Sequence, residues 1–556
     1  MKKLVCAALA LTAMVVSFKL LRPSSSIEGS GSFSSLNKNK YAPLKLPAFP
    51  KTGLNQFNSP AEVANFLESY HERKVFAWEP GYPIYIPAFD SFNRPYFRSH
   101  ERSQTAPLAS GFKKYQHGVW MDLPFDISAV KKHFPNSTVD EIASMNRQDL
   151  IWDPKMAVFD KDDILYSVVR IKTKDSANKH YVLMYSKDHG TTWKSQVLLS
   201  SSTLPEWYDL ERPYTSKPLP GPPAFLYFQA SGKVSGYESG FEYWQGTVGT
   251  LTLQTTSFDK NGELVADTPL TLSTTAQPIG YRSGSAVKLL RSGDKYFVVW
   301  LEATLDHKLE RNQRGRPTNT VPDKNGNPYS GIWVAEYDIK SGLIRKKEIL
   351  KTWPLNDNHN QPGIVRSSQG ILHVIGGSHG GHFTYTSSTK ADSIDTWSAP
   401  QFVNTTDSGY SANFNIPGVP GGSQTYVSFI IDSKDKLHVA YRLWAYDKSL
   451  FDFEYFGALA YQTAELASES NLYKWSAPKI LVYPNAQEYT HFYQVMTIDR
   501  RDHLYLEYSQ MRPYAPYYFK TPSGEAINTS AMQNSALLKT SDGGHSWHLV
   551  EDEDFR

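Results

Sequence analysis

The 556-residue chain contains a single cysteine, Cys6, and it lies within the first apolar segment. A mature chain that begins beyond that segment has no disulfide, no thiol chemistry and no cysteine-based zinc site. An excess of one charge is also missing. Lys and Arg together number 58 against 55 Asp and Glu, a net +3, so no basic field points to nucleic acid as a partner. Long apolar runs are absent past Leu4–Val16, and that run is shorter than the roughly 20 residues a membrane-spanning helix needs. No long helical pattern appears either. What remains is an ordinary globular composition, 40% hydrophobic and 20% charged, with ample material for a core.

The N-terminus has the pattern of an export signal. Lys2-Lys3 precedes the apolar run Leu4 to Val16, and a Ser/Gly-rich stretch from Pro23 to Ser35 follows. The expected division is a signal peptide over 1–22, a polar linker over 23–45 and one domain over 46–556. Two-lysine signals of this kind look bacterial, so the expected location is secreted or periplasmic. An uncleaved N-terminal anchor is the only membrane association this pattern leaves open. Leu4-Val5-Cys6 precedes the apolar region, where a lipoprotein box would have to follow it.

Aromatic residues are plentiful, 13% of the chain with 34 Tyr. They suit pleated, half-buried strands and also a sugar-binding surface. A short pattern recurs along the chain: a polar turn with Asp, Asn or Gly, then four to six alternating apolar and aromatic residues. It begins at Asn93, Asp163, Asp294, Gly370, Asp435 and Asp502, with a weaker copy at Gly232. Successive anchors are 70, 69, 62, 76, 65 and 67 residues apart. Period-two alternation after a tight turn marks the second strand of a hairpin. Seven such units predict an all-β, seven-bladed β-propeller of four-stranded blades. Ser186-Lys-Asp188-His-Gly190-Thr-Thr-Trp193 and Thr540-Ser-Asp542-Gly-Gly544-His-Ser-Trp547 fit the Asp-box turn, in which Asp binds backbone, Gly takes φ > 0 and Trp packs between blades. Trp397 and Trp475, each followed by Ser-Ala-Pro, resemble the same turn with its Asp lost.

The chemistry is concentrated in two late units. Asp357-Asn358-His359-Asn360 leads to His379, and Tyr426 leads to Arg442, 20 and 16 residues apart. Equivalent positions in adjacent blades bring two imidazoles, a phenol and a guanidinium to one face. Such a set suits β-elimination on a uronic acid. Arg442 binds the carboxylate and stabilises the charge that develops when H5 is removed. Histidine is a suitable base, with a reference pKa of about 6.5. Tyr426 either accepts H5 or protonates the leaving glycosidic oxygen; His379 either orients the base or holds the carboxylate. The expected catalytic residues are His359, Tyr426, Arg442 and His379, with Asn360, Arg282, Tyr493 and Trp444 as substrate contacts. This chemistry requires no cofactor, and a structural calcium or zinc ion is left open.

The stretch from about Arg282 to Tyr508 resembles the propeller-type polysaccharide lyases, namely the ulvan lyases and related rhamnosyl-glucuronate lyases. The residues that carry the resemblance are Asp357-Asn-His359-Asn360, the strand ending at His379, and Thr425-Tyr426 with Leu-His-Val-Ala-Tyr-Arg442. The resemblance implies that the matching His, His, Tyr and Arg form the active site. It also implies cleavage of rhamnose-3-sulfate-linked glucuronate or iduronate to an unsaturated uronyl end. In that family the pair lies in early blades; here it falls in the fifth and sixth units, so the ring is permuted or extra blades precede it. The expected partner is an anionic polysaccharide and the expected state a monomer.

Other signals are weaker. His379-Gly-Gly-His382 is a metal-ligand spacing without nearby carboxylates, and Asp323-Lys-Asn325-Gly-Asn327 starts like a calcium loop but has Val334 at the place of the bidentate Glu. Two other functions suit the scaffold: a sialidase-like exo-glycosidase, which needs an acidic acid/base group and a Tyr–Glu pair, and a non-catalytic carbohydrate-binding propeller.

Overall fold

The computed structural model describes residues 86–98, 112–124, 128–137, 157–173, 177–205, 207–237, 245–280, 286–305, 329–403, 423–445, 456–467, 473–482, 492–511 and 533–556, with short pieces at 126, 142–144, 519–520 and 526–527. The chain divides into two compact units, Met1–Ala42 and Pro43–Arg556, and every described residue belongs to the second. The expected signal peptide and linker, Arg282 and the 323–327 turn lie outside the described residues.

The described chain is all-β, and its sheets follow one another in sequence order. Ala88–Phe89, Pro95–Arg98, Phe112–Gln116 and Val119–Leu123 form an antiparallel four-stranded sheet. A five-stranded sheet follows over 142–201, then a continuous eight-stranded one from Trp207–Leu210 to Ile344–Thr352. The two halves of the latter meet through one pair, Ala276 with Glu302. Next come a four-stranded sheet from Gly363–Arg366 to Gln401–Phe402 and a six-stranded sheet that starts at His379–Gly381 and continues with Ser423–Ile431 and Leu437–Ala445. A four-stranded sheet from Phe492–Ile498 to His548–Leu549 ends the series.

Alternating residues leave each sheet with two apolar faces, and each face is covered by the next sheet. Tyr96 and Phe112 pack with Leu165 and Met184 in one core; Val365 and Tyr385 pack with Val427 and Tyr441 in another. Phe89 and Phe97 of the first sheet share a core with Tyr505 and Leu537 of the last. The series therefore closes on itself. Leu165–Thr173 shows why alternation is a weak signal here, since eight of its nine residues are buried.

The recurrent polar turn has a specific construction. Asp90, Asp160, Asp432 and Asp499 each accept the backbone N–H groups two and four residues further on. Asn93, Asp163, Asp435 and Asp502 then take the left-handed conformation, φ between 60° and 64°, which short polar side chains tolerate. The same residues join neighbouring sheets. Ser91 donates from N and Oγ to Asp163, Ser368 to Asp435 and Ser433 to Asp502. Arg500 N donates to Asn93 Oδ1 at 2.8 Å, which ties the last sheet to the first.

One expected repeat is misplaced. Gly232 is not a turn; it lies within strand Phe225–Lys233, beside a register shift. The equivalent connection is the longer segment between Trp207–Leu210 and Phe225–Lys233. Its length hides the repeat, because no Asp-led tight turn announces the strand. In the two Asp-containing Trp turns Asp188 accepts from Thr192 N and Asp542 from Ser546 N, Gly190 and Gly544 have φ of 91°, and Trp193 and Trp547 are buried. Trp475 is buried too.

Candidate functional site

The site lies at the ends of the strands opposite the Asp turns. Strand Gly363–Arg366 runs from this end toward the turn that precedes Leu372, and Ser423–Ile431 runs in the same sense toward the turn at Asp432. His359 immediately precedes the first of these strands and Tyr426 lies at the start of the second. His379 follows the return strand Leu372–Gly376, and Arg442 lies near the end of the return strand Leu437–Ala445.

Register then sets the neighbours. Thr425 pairs with His379 on one side and with Arg442 on the other. The three strands thus carry His379, Thr425 and Arg442 across one line. Next to Thr425 the ladder is broken between 425 and 428, and Tyr426 has φ of +62°. A left-handed tyrosine inside a strand is strained and persists only where surrounding contacts hold it. Gln494, from the neighbouring sheet, supplies one by donating from Nε2 to the Tyr426 carbonyl.

The four residues expected from the sequence come together. The rings of His359 and His379 stack with centroids 3.9 Å apart and planes 22° from parallel. Tyr426 lies 5.4 Å from His359, and the Arg442 guanidinium carbon is 4.5 Å over the Tyr426 ring. Tyr493 extends the row, its ring 5.2 Å from Tyr426. His359, Tyr426, Arg442 and Tyr493 are buried, whereas the His379 side chain is 39% exposed and forms the solvent side of the group. Asn360 is fully buried and donates to the Pro354 carbonyl, holding the loop rather than facing outward. Trp444 sits on the Arg442 strand, paired with Ser423 and Gly457.

Asp357 is the residue the sequence reasoning left without a role. It caps the 3₁₀ turn Asn358–Asn360, where its Oδ1 accepts the His359 backbone N–H at 2.9 Å. Oδ1 also bonds His359 Nδ1, and Oδ2 lies 2.9 Å from His379 Nδ1. A carboxylate therefore stands among the His/Tyr/Arg set. Its signal was the Asp-x-His spacing at 357–359, which reads equally well as a turn.

Electrostatics follow from this burial. Burial pushes the His359 imidazole down, His379 and Arg442 add to that, and Asp357 opposes it, leaving a pKa of about 4. Burial pushes the Asp357 carboxyl up, but the two imidazoles outweigh burial and hold it far below the usual carboxylate range. At neutral pH the site therefore contains an ionised Asp357 and a neutral His359.

Asp357, His359 and His379 place donor atoms within 4.8 Å of one another, near enough for one cation. Nearly parallel rings argue against a shared ion, because an ion in line with one Nδ1 lone pair lies out of the plane of the other ring. His382, whose spacing to His379 resembles a metal-ligand pair, packs edge-on against Phe402. A second group, Asp90, Asp163 and His189, lies at the turn end, where Arg94 and Ser91 already bind its carboxylates. A cavity of about 1340 Å³ also opens at the turn end, between Ser367, Asp432, Asp502 and Asp542; neither His359 nor His379 lines it.

Residues 327–508 match the family described as BNR repeat-containing family member, an interval that contains all four expected catalytic residues. No curated protein matches the chain. Solved structures similar to it include the polysaccharide lyase Uly1, with 12% identity, a TM-score of 0.29, and coverage of 50% of this chain and 57% of that one. The NanB sialidase from Streptococcus pneumoniae shows 11% identity and a TM-score of 0.29, covering 70% and 68% of the two chains. The α-L-arabinanase of Penicillium chrysogenum shows 12% and 0.25, covering 68% and 92%. The chain thus spans just over half the length of the lyase it matches. The family match and the succession of antiparallel sheets agree on an all-β architecture of propeller type.

Proposed function

We propose that the chain is a polysaccharide lyase that cleaves an ulvan-like uronate polysaccharide by β-elimination, on a seven-bladed β-propeller. Counting each half of the eight-stranded sheet as one blade gives seven. The observation that carries the chemistry is the row His379, His359, Tyr426, Arg442, in which a guanidinium, a phenol and two imidazoles lie within one contact of each other.

In this reading Arg442 receives the uronate carboxylate and stabilises the negative charge that spreads onto it as the C5–H bond breaks. A neutral imidazole takes that proton. The freed electron pair forms the C4–C5 double bond as the C4–O bond breaks, and an acid returns a proton to the departing oxygen. His359 and Tyr426 are the base–acid pair. A hydrolase needs a carboxyl group to protonate the glycosidic oxygen, and Asp357, bound by both imidazoles, is poorly placed for that. An exported enzyme acting on an extracellular anionic polysaccharide agrees with the N-terminal pattern of the sequence.

The test is incubation with ulvan, following the ultraviolet absorbance of an unsaturated uronate. Absorbance rising with product supports elimination. New reducing ends without absorbance would mean hydrolysis, and binding without products would mean a carbohydrate-binding module.

A further inference from the structure

We infer that Asp357 is a positioning residue that fixes both His359 and His379 in the Nδ1–H tautomer, so that each ring carries its lone pair on Nε2. This deepens the elimination reading and rests on it for its catalytic meaning, though not for its geometry.

Three observations carry it. The two imidazoles stack 3.9 Å apart, and each meets a different oxygen of one carboxylate. The carboxylate has two oxygens, so one Asp can give each of the stacked rings its own acceptor. Second, Asp357 is 1% exposed. An ionised carboxylate only accepts, and a buried one must be surrounded by donors. A bare Nδ1 on either ring would set a lone pair against a carboxylate oxygen. Third, Asp357 is itself held. It has extended backbone at the cap of the 3₁₀ turn and forms an isolated antiparallel bridge with Gln245. Such support behind an imidazole is how a ring's tautomer and orientation are set elsewhere.

The consequence is an assignment of roles. With Nδ1 protonated, His359 accepts the C5 proton on Nε2 and becomes an imidazolium, which the Asp357 carboxylate stabilises. Tyr426 then gives its phenolic proton to the departing oxygen. Proton exchange with solvent, which reaches the site on the His379 side, restores both groups. Arg442, over the Tyr426 ring, favours the phenolate formed.

The first experiment needs no substrate. Long-range ¹⁵N–¹H correlation spectra of full-length, ¹⁵N-histidine-labelled protein at neutral pH identify each tautomer, with His359→Gln and His379→Gln supplying the assignments. Both rings should show a protonated Nδ1 and a pyridine-like Nε2. An Nε2–H tautomer in either ring overturns the inference. So does loss of both Nδ1 protons on adding one equivalent of Zn²⁺ together with loss of activity on chelation, since the cluster would then be a metal site. The second experiment is Asp357→Asn, an isostere that keeps the cap oxygen. It should lower kcat by about 10²- to 10⁴-fold with KM little changed, and move the acid limb of the rate profile to lower pH, because the carboxylate that raises His359 is gone. Wild-type kcat and pH profile in that variant overturn the inference. If the wild-type protein eliminates no uronate yet shows the expected tautomers, the functional reading fails and the positioning stands.

Discussion

The guanidinium of Arg442 lies over the ring of Tyr426, its central carbon 4.5 Å from the ring centre. The two side chains come from paired strands, and Tyr426 reaches this place only through a left-handed backbone at a break in the ladder. A planar cation on an aromatic face is a geometry that arginine holds and lysine does not. Arg442→Lys should therefore lower kcat/KM for elimination by about 10²-fold or more, the scale of losing one charge-stabilising donor. Steady-state rates on a uronate polysaccharide check this; a loss under threefold would remove Arg442 from carboxylate recognition.

Tyr426→Phe keeps the ring against His359, Tyr493 and Arg442 and deletes only the hydroxyl. If the phenol is the acid, kcat should drop by about 10²- to 10⁴-fold while the melting temperature stays close to wild type. Full activity in this variant assigns the proton to another group.

Protonation should destabilise the fold in a defined window. Burial holds His359 near 4 and His373 near 3, while an unfolded histidine titrates near 6.5. Between those values the unfolded chain binds more protons than the folded one, so stability falls as pH drops from about 7 toward 4. Asp357, held low in the fold, adds a loss in the same direction at still lower pH. Each ring should contribute on the order of 1 kcal/mol or more. Thermal melts across this range should slope downward, and His359→Gln should flatten the slope.

A glycine behind the imidazoles is required by space. A Cβ on Gly377 would meet the Gln361 carbonyl at 2.7 Å, where the end of strand Leu372–Gly376 crosses the backbone just after His359. Gly377→Ala should cost about 1–3 kcal/mol and displace His379 from Asp357, lowering activity more than a surface Gly342→Ala control. Chemical denaturation and rates measured together decide whether both effects appear.

Asn93 ties the last sheet to the first by accepting from Arg500 N and donating to Asp499. Asn93→Gly keeps the left-handed backbone and removes both bonds, so it should destabilise by about 1–3 kcal/mol with the elimination rate at 25 °C retained. An unchanged denaturation midpoint would show that the shared core of Phe89, Phe97, Tyr505 and Leu537 closes the series without this bond.

The sequence displayed whatever is encoded locally. A tight turn needs Asp, Asn or Gly at a fixed place, so six of the repeat anchors were readable, and a strand after a turn shows its alternation even when both faces are buried. The copy over 207–233 escaped because its turn is replaced by a longer connection, and length erases the signal. His359, His379, Tyr426 and Arg442 were legible because each stands 7 to 11 residues from such a turn, in the same order in both units.

What the sequence by itself determined was an all-β chain, the positions of its tight turns and the residue types available for chemistry. Only the tertiary structure decided which groups meet. Register put Thr425 between His379 and Arg442, a break in one ladder turned Tyr426 toward them, and the 3₁₀ turn Asn358–Asn360 with its cap Asp357 set the His359 ring and the carboxylate against His379. Those relations depend on contacts between residues 16 to 67 apart in sequence, and no local pattern records them. Burial then gave them their electrostatic meaning, since a carboxylate two residues from a histidine is an ordinary turn in water and a tautomer-setting anion only once solvent is excluded.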